Sequence, residues 1–296
     1  LIGQRMIKYA DNSLAPQVRN MWKTVFDDPD AYMDVYFRDK YRNENTLVYI
    51  ENDKAVASLQ MLPHTFTFCG KEIPVAYLSG ACTLPQYRGK GYMSALLKRS
   101  FREMKKRNIP LALLVPQESA LLKFYAPFGF AQAFDAGTEE LPSLKELLAR
   151  HPHDLYGAYC EFDGWFRQKD MTVQKSFDDF CSIVEEAALF DFPPKQNLMG
   201  MARIIDAETL LAIFAQRYRD RIFSLSVIDS VLPENEDTFV VQGGECKRQR
   251  TACEPHFHVG IDELVQLLLG YRTAQKDEPL RTLFPEKKPQ MNFMLE

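Results

Sequence analysis

The sequence predicts a mixed α/β fold built on a mixed sheet, followed by a smaller α+β unit. The first half alternates helix-period apolar segments with short runs rich in β-branched and aromatic residues. Two-residue turns of the kind that join antiparallel strands connect several of these runs, whereas IPLALLVPQ is almost wholly apolar, as expected of a strand buried within a sheet. With 296 residues, the chain is long enough for two domains of ordinary size.

Composition narrows the class of protein. The sequence is 46% hydrophobic and 26% charged, which is typical of a soluble globular protein, and its net charge of −4 argues against general attraction to nucleic acid. No apolar run approaches the roughly 18 residues of a membrane span. The six cysteines include no Cys-x-x-Cys pair, which indicates reduced thiols. We therefore expect a cytoplasmic protein without a membrane or nucleic-acid partner.

The elements of the first half can be assigned in order. A first helix is predicted over 13–26 with Ser13 as its N-cap, and a second begins at Asp28 as N-cap with Pro29 in the first helical position. Two hairpins turn at Asn52-Asp53 and at Cys69-Gly70. The remaining elements are a helix over 92–107, a strand over 109–117, a short helix over 119–130 that is broken by Pro127 and Gly129, and a strand that starts at Phe130.

The stretch TLPQYRGKGYMSALLKRSFREMKK places the spacing Gln86-x-x-Gly89-x-Gly91 between a strand and a helix. Glycines allow a tight turn and close backbone approach, and a helix N-terminus offers unpaired N–H groups, so the segment suits a bound pyrophosphate. Arg88 and Lys90 would add positive charge at the rim. The spacing excludes a Walker loop and lacks the third glycine of a Rossmann turn. The alternative is a glycine-containing turn whose cations are merely solvated.

The segment ACTLPQYRGKGYMSALL resembles the acetyl-CoA-binding motif of the GNAT N-acetyltransferase superfamily, and LLKFYAPFGF is similar to that family's Phe-Tyr-x-x-x-Gly-Phe. The resemblance implies a GNAT fold, acetyl-CoA as cosubstrate and no metal. It also implies that Val75–Leu84 splays away from the next strand and pairs with the pantetheine arm. The implied coenzyme-binding residues are Leu84, Gln86, Tyr87, Arg88, Gly89, Lys90, Gly91 and Tyr92.

By the same resemblance, Tyr125 corresponds to the tyrosine that serves many GNAT enzymes as general acid toward the departing thiolate. A phenol of pKa about 10 stays protonated at neutral pH and can donate a proton. The alternative is a packed aromatic beside Phe124 and Phe128, which we expect in the core. No histidine is an obvious base, since His64 follows a proline in a strand bend, where an exposed or structural role is expected. His256 and His258 share one strand face but have no third metal ligand nearby in sequence.

The second half contains an amphipathic helix over 201–218, two strands joined by a turn at 233–237, and a strand followed by a helix ending at Gly270. This order resembles the sterol-carrier-protein-like domain of acetyltransferases related to the Eis (enhanced intracellular survival) group. The predicted domains are a GNAT domain over 1–138, a connecting region over 139–195 and a sterol-carrier-like domain over 196–296. Eis-type enzymes carry a complete second GNAT-like domain in place of the connecting region. The resemblance therefore does not imply their hexameric assembly for this chain, and a homo-oligomer is one alternative.

The chain end offers a candidate base. In the Eis group the terminal carboxylate reaches the acetyltransferase site, so the resemblance implies this role for Glu296 at the end of PQMNFMLE; the alternative is a frayed tail. Near the first two helices, Asp27, Asp28, Asp30 and Asp34 could attract a cationic acceptor, or could serve only in helix capping. The predicted function is transfer of an acetyl group from acetyl-CoA to the primary amine of a small molecule or peptide. A non-catalytic module that binds acyl-CoA or lipid is the alternative.

Overall fold

A computed structural model describes residues 5–249 and 254–295, and its larger part is an eight-stranded mixed sheet. The strands are β1 (Arg5–Tyr9), β2 (Thr46–Glu51), β3 (Lys54–Phe68), β4 (Lys71–Thr83), β5 (Leu111–Leu114), β6 (Ala131–Phe134), β7 (Thr172–Gln174) and β8 (Gly200–Ile204). The helices around them are α1 (Ala15–Phe26), α2 (Asp30–Asp39), α3 (Tyr92–Lys106), α4 (Leu121–Tyr125), α5 (Leu144–Arg150), α6 (Leu155–Phe166) and α7 (Phe177–Leu189).

The sheet order is β1-β2-β3-β4-β5-β8-β6, with β7 paired to β3. Strands β1 to β4 form an antiparallel meander, and β5 runs parallel to β4. Because β3 has 15 residues, its first half pairs with β2 and its second half, at Thr65–Thr67, pairs with β7. The predicted mixed α/β class with a mixed sheet is therefore confirmed.

Both predicted hairpin turns are present. Asn52 and Asp53 have φ of 51° and 61°, and Cys69 and Gly70 have φ of 52° and 77°. Two successive left-handed residues match the right-handed twist of the flanking strands, which is why two-residue hairpins favour this geometry. The Asn52-Asp53 turn therefore sets the register of β2 with β3, and the Cys69-Gly70 turn sets that of β3 with β4, whose edge shapes the site below.

Two predicted helix caps are each wrong by one residue. Helix α1 begins at Ala15, and the Ser13 hydroxyl donates to the Asp11 carboxylate at 2.5 Å instead of capping the helix. Helix α2 begins at Asp30 with Pro29 as its N-cap, because the Asp28 carboxylate accepts from the Trp22 indole N–H at 2.6 Å. In both cases the side chain that was predicted to cap the helix makes a hydrogen bond to another side chain nearby.

Strand β8 lies in the segment predicted to open the second domain, yet it belongs to the first sheet. It pairs antiparallel with β5 on one side and with β6 on the other. The predicted boundary at residue 196 therefore separates strands of one sheet, because β6 precedes it and β8 follows it. Residues 139–195 also contribute to this sheet, since β7 pairs with β3.

The C-terminal part forms a second sheet in the order β11-β10-β9-β12. Its strands are β9 (Phe223–Ile228), β10 (Asp237–Gln242), β11 (Glu245–Arg248) and β12 (Phe257–Gly260), and its helices are α8 (Ala207–Arg217), α9 (Ile261–Leu269) and α10 (Leu280–Leu283). The strand pair, the turn at Pro233–Asn235 and the helix ending before Gly270 were predicted from the sequence. This confirms the smaller α+β unit.

The hydrophobic core is divided by the first sheet. One cluster joins α1, α2 and α5–α7 to one sheet face and continues into the second sheet, whereas another packs α3 and α4 against the opposite face. We call these the α7 face and the α3 face. No helix in the described ranges has both the length and the apolar character needed to cross a membrane.

Candidate active site

The candidate site begins where β4 and β5 separate. These strands pair only over Val75–Tyr77 and Leu111–Leu113, whereas β4 continues to Thr83. The register of β3 with β4 shifts between Ser58 and Gln60, opposite Gly80. Gly80 has φ of 57°, and a Cβ there would lie 2.6 Å from the Trp22 ring. Glycine is therefore required for this bulge, and the opening predicted for Val75–Leu84 is present.

The glycine turn lies beside this opening and leads into α3. Gly89 and Gly91 have φ of 76° and 79°, and a Cβ at either position would meet no atom within 4 Å. Gly91 is the N-cap of α3, and no side chain caps the helix. The first-turn N–H groups thus have neither intrahelical nor side-chain acceptors, which is the arrangement that binds anions.

The predicted cations at this turn are exposed but not isolated. The Arg88 Nε donates to the Thr83 carbonyl at 3.2 Å. The Lys90 Nζ lies 4.8 Å from the centre of the Tyr87 ring and 3.8 Å from the Glu51 carboxylate. Glu51 also accepts from the Tyr92 hydroxyl at 2.7 Å, and this hydrogen bond is the largest cause of a lowered Glu51 pKa.

Most of the predicted coenzyme-binding residues surround one cavity of about 590 Å³, which we call the coenzyme cavity. Leu84 and Gln86 are not part of its lining. The Tyr92 ring is buried and stacks on Tyr49 at 4.2 Å, so its hydroxyl points away toward Glu51. The predicted residues that line the cavity are Tyr87, Arg88, Gly89, Lys90, Gly91 and Tyr92.

Tyr125 lies at the end of α4 and also lines the coenzyme cavity. Its side chain is buried, and burial raises the pKa of its hydroxyl to about 12. The hydroxyl is therefore protonated at neutral pH. Phe128 is buried as predicted, but Phe124 is 37% exposed and lines the coenzyme cavity, so its assignment to the core was wrong. Phe124 and the buried Tyr125 are adjacent on α4, and adjacent helical residues point about 100° apart, so the two rings do not share one direction.

A second cavity of about 300 Å³ adjoins the first, and we call it the acceptor cavity. Tyr125 lines both cavities, and so do four other residues. Ser79 on its wall accepts a hydrogen bond of 2.8 Å from the fully buried Tyr36 hydroxyl, which the sequence analysis did not single out. The residues shared by the two cavities are Phe26, Ala81, Gln117, Leu121 and Tyr125.

The four aspartates near the first two helices have different roles. Asp28 lines the acceptor cavity. Asp27 and Asp30 lie 3.2 and 3.8 Å from the Lys23 ammonium, and Asp34 pairs with Arg19 at 2.7 Å. Only Asp28 of this group faces the space that an acceptor would enter.

The chain end packs against the α7 face. Phe293, Met294 and Leu295 are 4%, 7% and 7% exposed, and they line a small cavity together with Tyr77. Tyr77 also lines the acceptor cavity. The apolar tail is therefore buried rather than frayed up to Leu295; Glu296 lies outside the described residues.

The predicted histidines are placed apart from the candidate site. The side chain of His64 is only 7% exposed, and burial lowers its pKa to about 4. His256 precedes β12, and its Nδ1 accepts from the Ser224 backbone N–H at 2.9 Å, whereas His258 is exposed. Within the described ranges, no cluster of three or more histidine, cysteine, aspartate or glutamate side chains could hold a metal ion.

Comparisons with known proteins agree with this architecture. Residues 6–133 match the model of the GNAT acetyltransferase domain, and residues 210–290 match that of the sterol carrier protein domain. The chain therefore contains a GNAT acetyltransferase domain followed by a C-terminal sterol carrier protein domain. This GNAT protein is accordingly an enzyme of the acyltransferase class. No curated protein matches it significantly.

Several solved structures resemble this GNAT protein over nearly its whole length. Eis1 from Mycobacterium abscessus is 13% identical, with 98% of this chain and 100% of that chain covered and a TM-score of 0.67. A GCN5-related N-acetyltransferase from Anabaena variabilis is 15% identical, with 97% and 98% covered and a TM-score of 0.69. A probable N-acyltransferase from Enterococcus faecalis is 15% identical, with 98% and 99% covered and a TM-score of 0.66. At these identities the likeness shows the fold.

Proposed function

We propose that this enzyme transfers an acetyl group from acetyl-CoA to a primary amine by direct attack. The observation that carries the proposal is the position of Tyr125, whose side chain lines both the coenzyme cavity and the acceptor cavity. A donor in one cavity and an acceptor in the other would meet beside its hydroxyl.

The glycine turn would hold the pyrophosphate of acetyl-CoA. The φ values and open space at Gly89 and Gly91 let the backbone approach the ligand closely. The uncapped first turn of α3 would donate N–H groups to phosphate oxygens, and Arg88 and Lys90 would contribute charge at the rim. The unpaired edge of β4 beyond Tyr77 is available for hydrogen bonds to the pantetheine amides.

In the reaction, the amine nitrogen attacks the thioester carbon and the carbon–sulfur bond breaks. The electron pair of that bond passes to sulfur, and Tyr125 donates a proton to the thiolate. The amine loses a proton as the new amide forms. Because free amine is the nucleophile and alkylamines are mostly protonated at neutral pH, a base or an equivalent is needed.

We propose that a carboxylate at Glu296 serves as this base. The burial of Phe293, Met294 and Leu295 beside Tyr77 would anchor the end of the chain next to the acceptor cavity. Asp28 on the wall of that cavity would attract a cationic acceptor such as a polyamine, an aminoglycoside or a lysine side chain.

A thiol-release assay tests the function. The purified enzyme is mixed with acetyl-CoA and a panel of amines, and free coenzyme thiol is measured over time. We expect release that depends on one class of amine, together with an acetylated product of the corresponding mass. Calorimetric binding of acetyl-CoA without thiol release for any amine in the panel would contradict the proposed reaction.

A further inference from the structure

A further cavity, which lies on the α7 face, has no role in the proposed reaction. It has a volume of about 720 Å³ and lies between β3, β7 and the start of α7. It shares no lining residue with either the coenzyme cavity or the acceptor cavity. Its size is in the range of small-molecule sites. We call it the Lys175 cavity.

The inner end of this cavity contains the buried amine of Lys175, which has no hydrogen-bond partner among the described residues. Lys175 is 4% exposed, and its Nζ makes no hydrogen bond within the described structure. Its backbone is held in place, because its carbonyl accepts from the Tyr159 hydroxyl at 3.1 Å. Burying a charge without a partner is costly, and native structures tolerate it mainly where a ligand or a reaction uses the group.

The neighbouring charges do not neutralise Lys175. Asp179, the acidic side chain that acts electrostatically on Lys175, is already paired with the Lys40 ammonium at 2.5 Å. Arg42 also lines the cavity and donates to the carbonyls of Arg38 and Tyr41 rather than to an acid. When Lys175 is protonated, it and Lys40 place two cations around the single carboxylate of Asp179.

A neutral donor lies beside the ammonium. His64 lines the same cavity, and its Nδ1 has no hydrogen-bond partner. Its pKa of about 4 keeps the imidazole neutral at physiological pH, so one ring nitrogen carries a proton that can be donated. Lys175 and His64 together offer a charge-assisted and a neutral hydrogen bond to one ligand group.

We propose that the Lys175 cavity binds a small organic monocarboxylate, with Lys175 as its charge partner and His64 as a second donor. The carboxylates of Asp178 and Asp179 also line the cavity and would repel a dianion such as phosphate. Rings of Tyr159 and Phe177 on the wall would pack against an apolar body. The site takes no part in the proposed acetyl transfer, although the small cavity lined by the chain end adjoins both it and the acceptor cavity.

Calorimetric titration of the full chain with benzoate at pH 7 tests the proposal. We expect saturable binding that becomes at least about tenfold weaker in Lys175→Met, which keeps most of the side chain but removes the charge. Lys169→Met is the matched control, because Lys169 is exposed and is not part of the cavity lining. Inorganic phosphate at the same ionic strength should bind much more weakly. Equal benzoate affinity in Lys175→Met, or equal affinity for phosphate, would overturn the proposal.

Proton uptake provides a second readout. Burial lowers the Lys175 pKa to about 7, so a bound carboxylate should draw a proton onto the amine. Titrations in buffers of different ionisation enthalpy should show uptake at pH 7 in the wild type and none in Lys175→Met, and affinity should fall from pH 6 to pH 9. The other charged or titratable side chains that line the cavity are Asp39, Lys40, Arg42, His64, Tyr159, Arg167, Asp178 and Asp179.

The chain's own end is the competing source of a carboxylate. Phe293, Met294 and Leu295 line a small cavity that adjoins Lys175 and His64. The titration is therefore repeated on Glu296→Gln with a few uncharged residues added after it, which removes the side-chain carboxylate and moves the terminal carboxylate away. Benzoate binding by this extended variant but not by the full chain would mean that the ligand is intramolecular, and would overturn the proposal of an external carboxylate. Similar binding by both supports it.

Discussion

The Tyr125 hydroxyl is the single group on which the proposed proton donation depends. Replacing Tyr125 with Phe keeps the ring contacts with Phe124 and Phe130, at 5.1 and 5.7 Å, but removes the proton donor. We expect kcat to fall by about 10²–10⁴-fold with unchanged affinity for acetyl-CoA. Steady-state kinetics and calorimetry measure the two effects.

The control for this change is Tyr156→Phe, which removes the same atom from a side chain that is 62% exposed and outside both cavities. It should leave kcat unchanged. If Tyr125→Phe also retains wild-type turnover, Tyr125 is only a packed aromatic residue.

The burial of the His64 side chain makes the stability of the protein depend on pH. Its pKa is about 4 in the folded protein and 6.5 for the free side chain, so the unfolded chain binds the proton more tightly. The neutral His64 therefore makes its full contribution to the free energy of unfolding above pH 6.5. This contribution is lost as the pH falls toward 4, by up to about 3 kcal/mol. Urea unfolding at pH 7, 5.5 and 4.5 should show a smaller loss in His64→Leu than in the wild type.

His258→Leu provides the comparison, because His258 is exposed. This variant should follow the wild-type curve. Asp179, whose pKa is lowered mainly through His64 and Lys40 against the opposing effect of burial, loses its contribution only at lower pH. A His64→Leu curve parallel to the wild type between pH 6.5 and 4 would remove His64 as the cause.

At the scale of elements, the turn before α3 combines a required backbone geometry with open space. Gly91→Val should weaken acetyl-CoA binding, because a side chain at φ 79° is strained and would project toward the ligand. Gly70→Val is a matched control, since Gly70 has φ of 77° with equally open space but lies at the β3–β4 hairpin. Calorimetric titration should show weaker binding only for Gly91→Val.

Thermal unfolding of the two glycine variants separates strain from ligand contact. We expect similar, modest losses of stability, because the backbone penalty is the same. Should both variants bind acetyl-CoA as the wild type does, the assignment of this turn to the pyrophosphate is incorrect.

At the scale of the whole molecule, a buried ion pair ties the C-terminal part to the segment that follows Tyr125. Arg203 on β8 contacts both oxygens of Asp229 at 2.7 and 2.8 Å, and its Nε donates to the Phe128 carbonyl at 2.6 Å. Asp229→Ala would leave a fully buried guanidinium without its partner. We expect a loss of about 3–5 kcal/mol in the free energy of unfolding, measured with urea.

An exposed pair is the control for the buried one. Glu245 lies 2.5 Å from Lys247 at the surface, and Glu245→Ala should leave the urea midpoint unchanged. Similar midpoints for Asp229→Ala and the wild type would show that the buried pair does not hold the two parts of the chain together.

The tail prediction also concerns the whole chain, because residues 293–295 reach a face built by distant elements. Adding a few residues after Glu296 should lower turnover far more than acetyl-CoA affinity, since the proposed base acts on the acceptor. The addition removes no buried side chain, so the urea midpoint should stay near the wild-type value. Deleting 293–296 should lower both turnover and stability, because Phe293, Met294 and Leu295 are buried. Wild-type rates in both variants would exclude the tail from the chemistry.

The sequence by itself determined the features that depend on neighbouring residues. The hairpin turns at Asn52-Asp53 and Cys69-Gly70, the glycine turn before α3 and the helix ending at Gly270 are encoded in backbone preferences over a few positions. The resemblance that identified the family rests on the same local motifs. These features could be predicted because a left-handed residue or an amphipathic period needs no distant partner.

Only the tertiary structure decided which distant groups meet. It placed β8 between β5 and β6, turned Phe124 toward the coenzyme cavity, and separated Asp28 from the aspartates that pair with Lys23 and Arg19. It also brought Lys175 beside His64, which lies more than one hundred positions earlier in the chain. Strand pairing, burial and ion pairing depend on the partner that long-range packing supplies, and a single sequence does not reveal that partner.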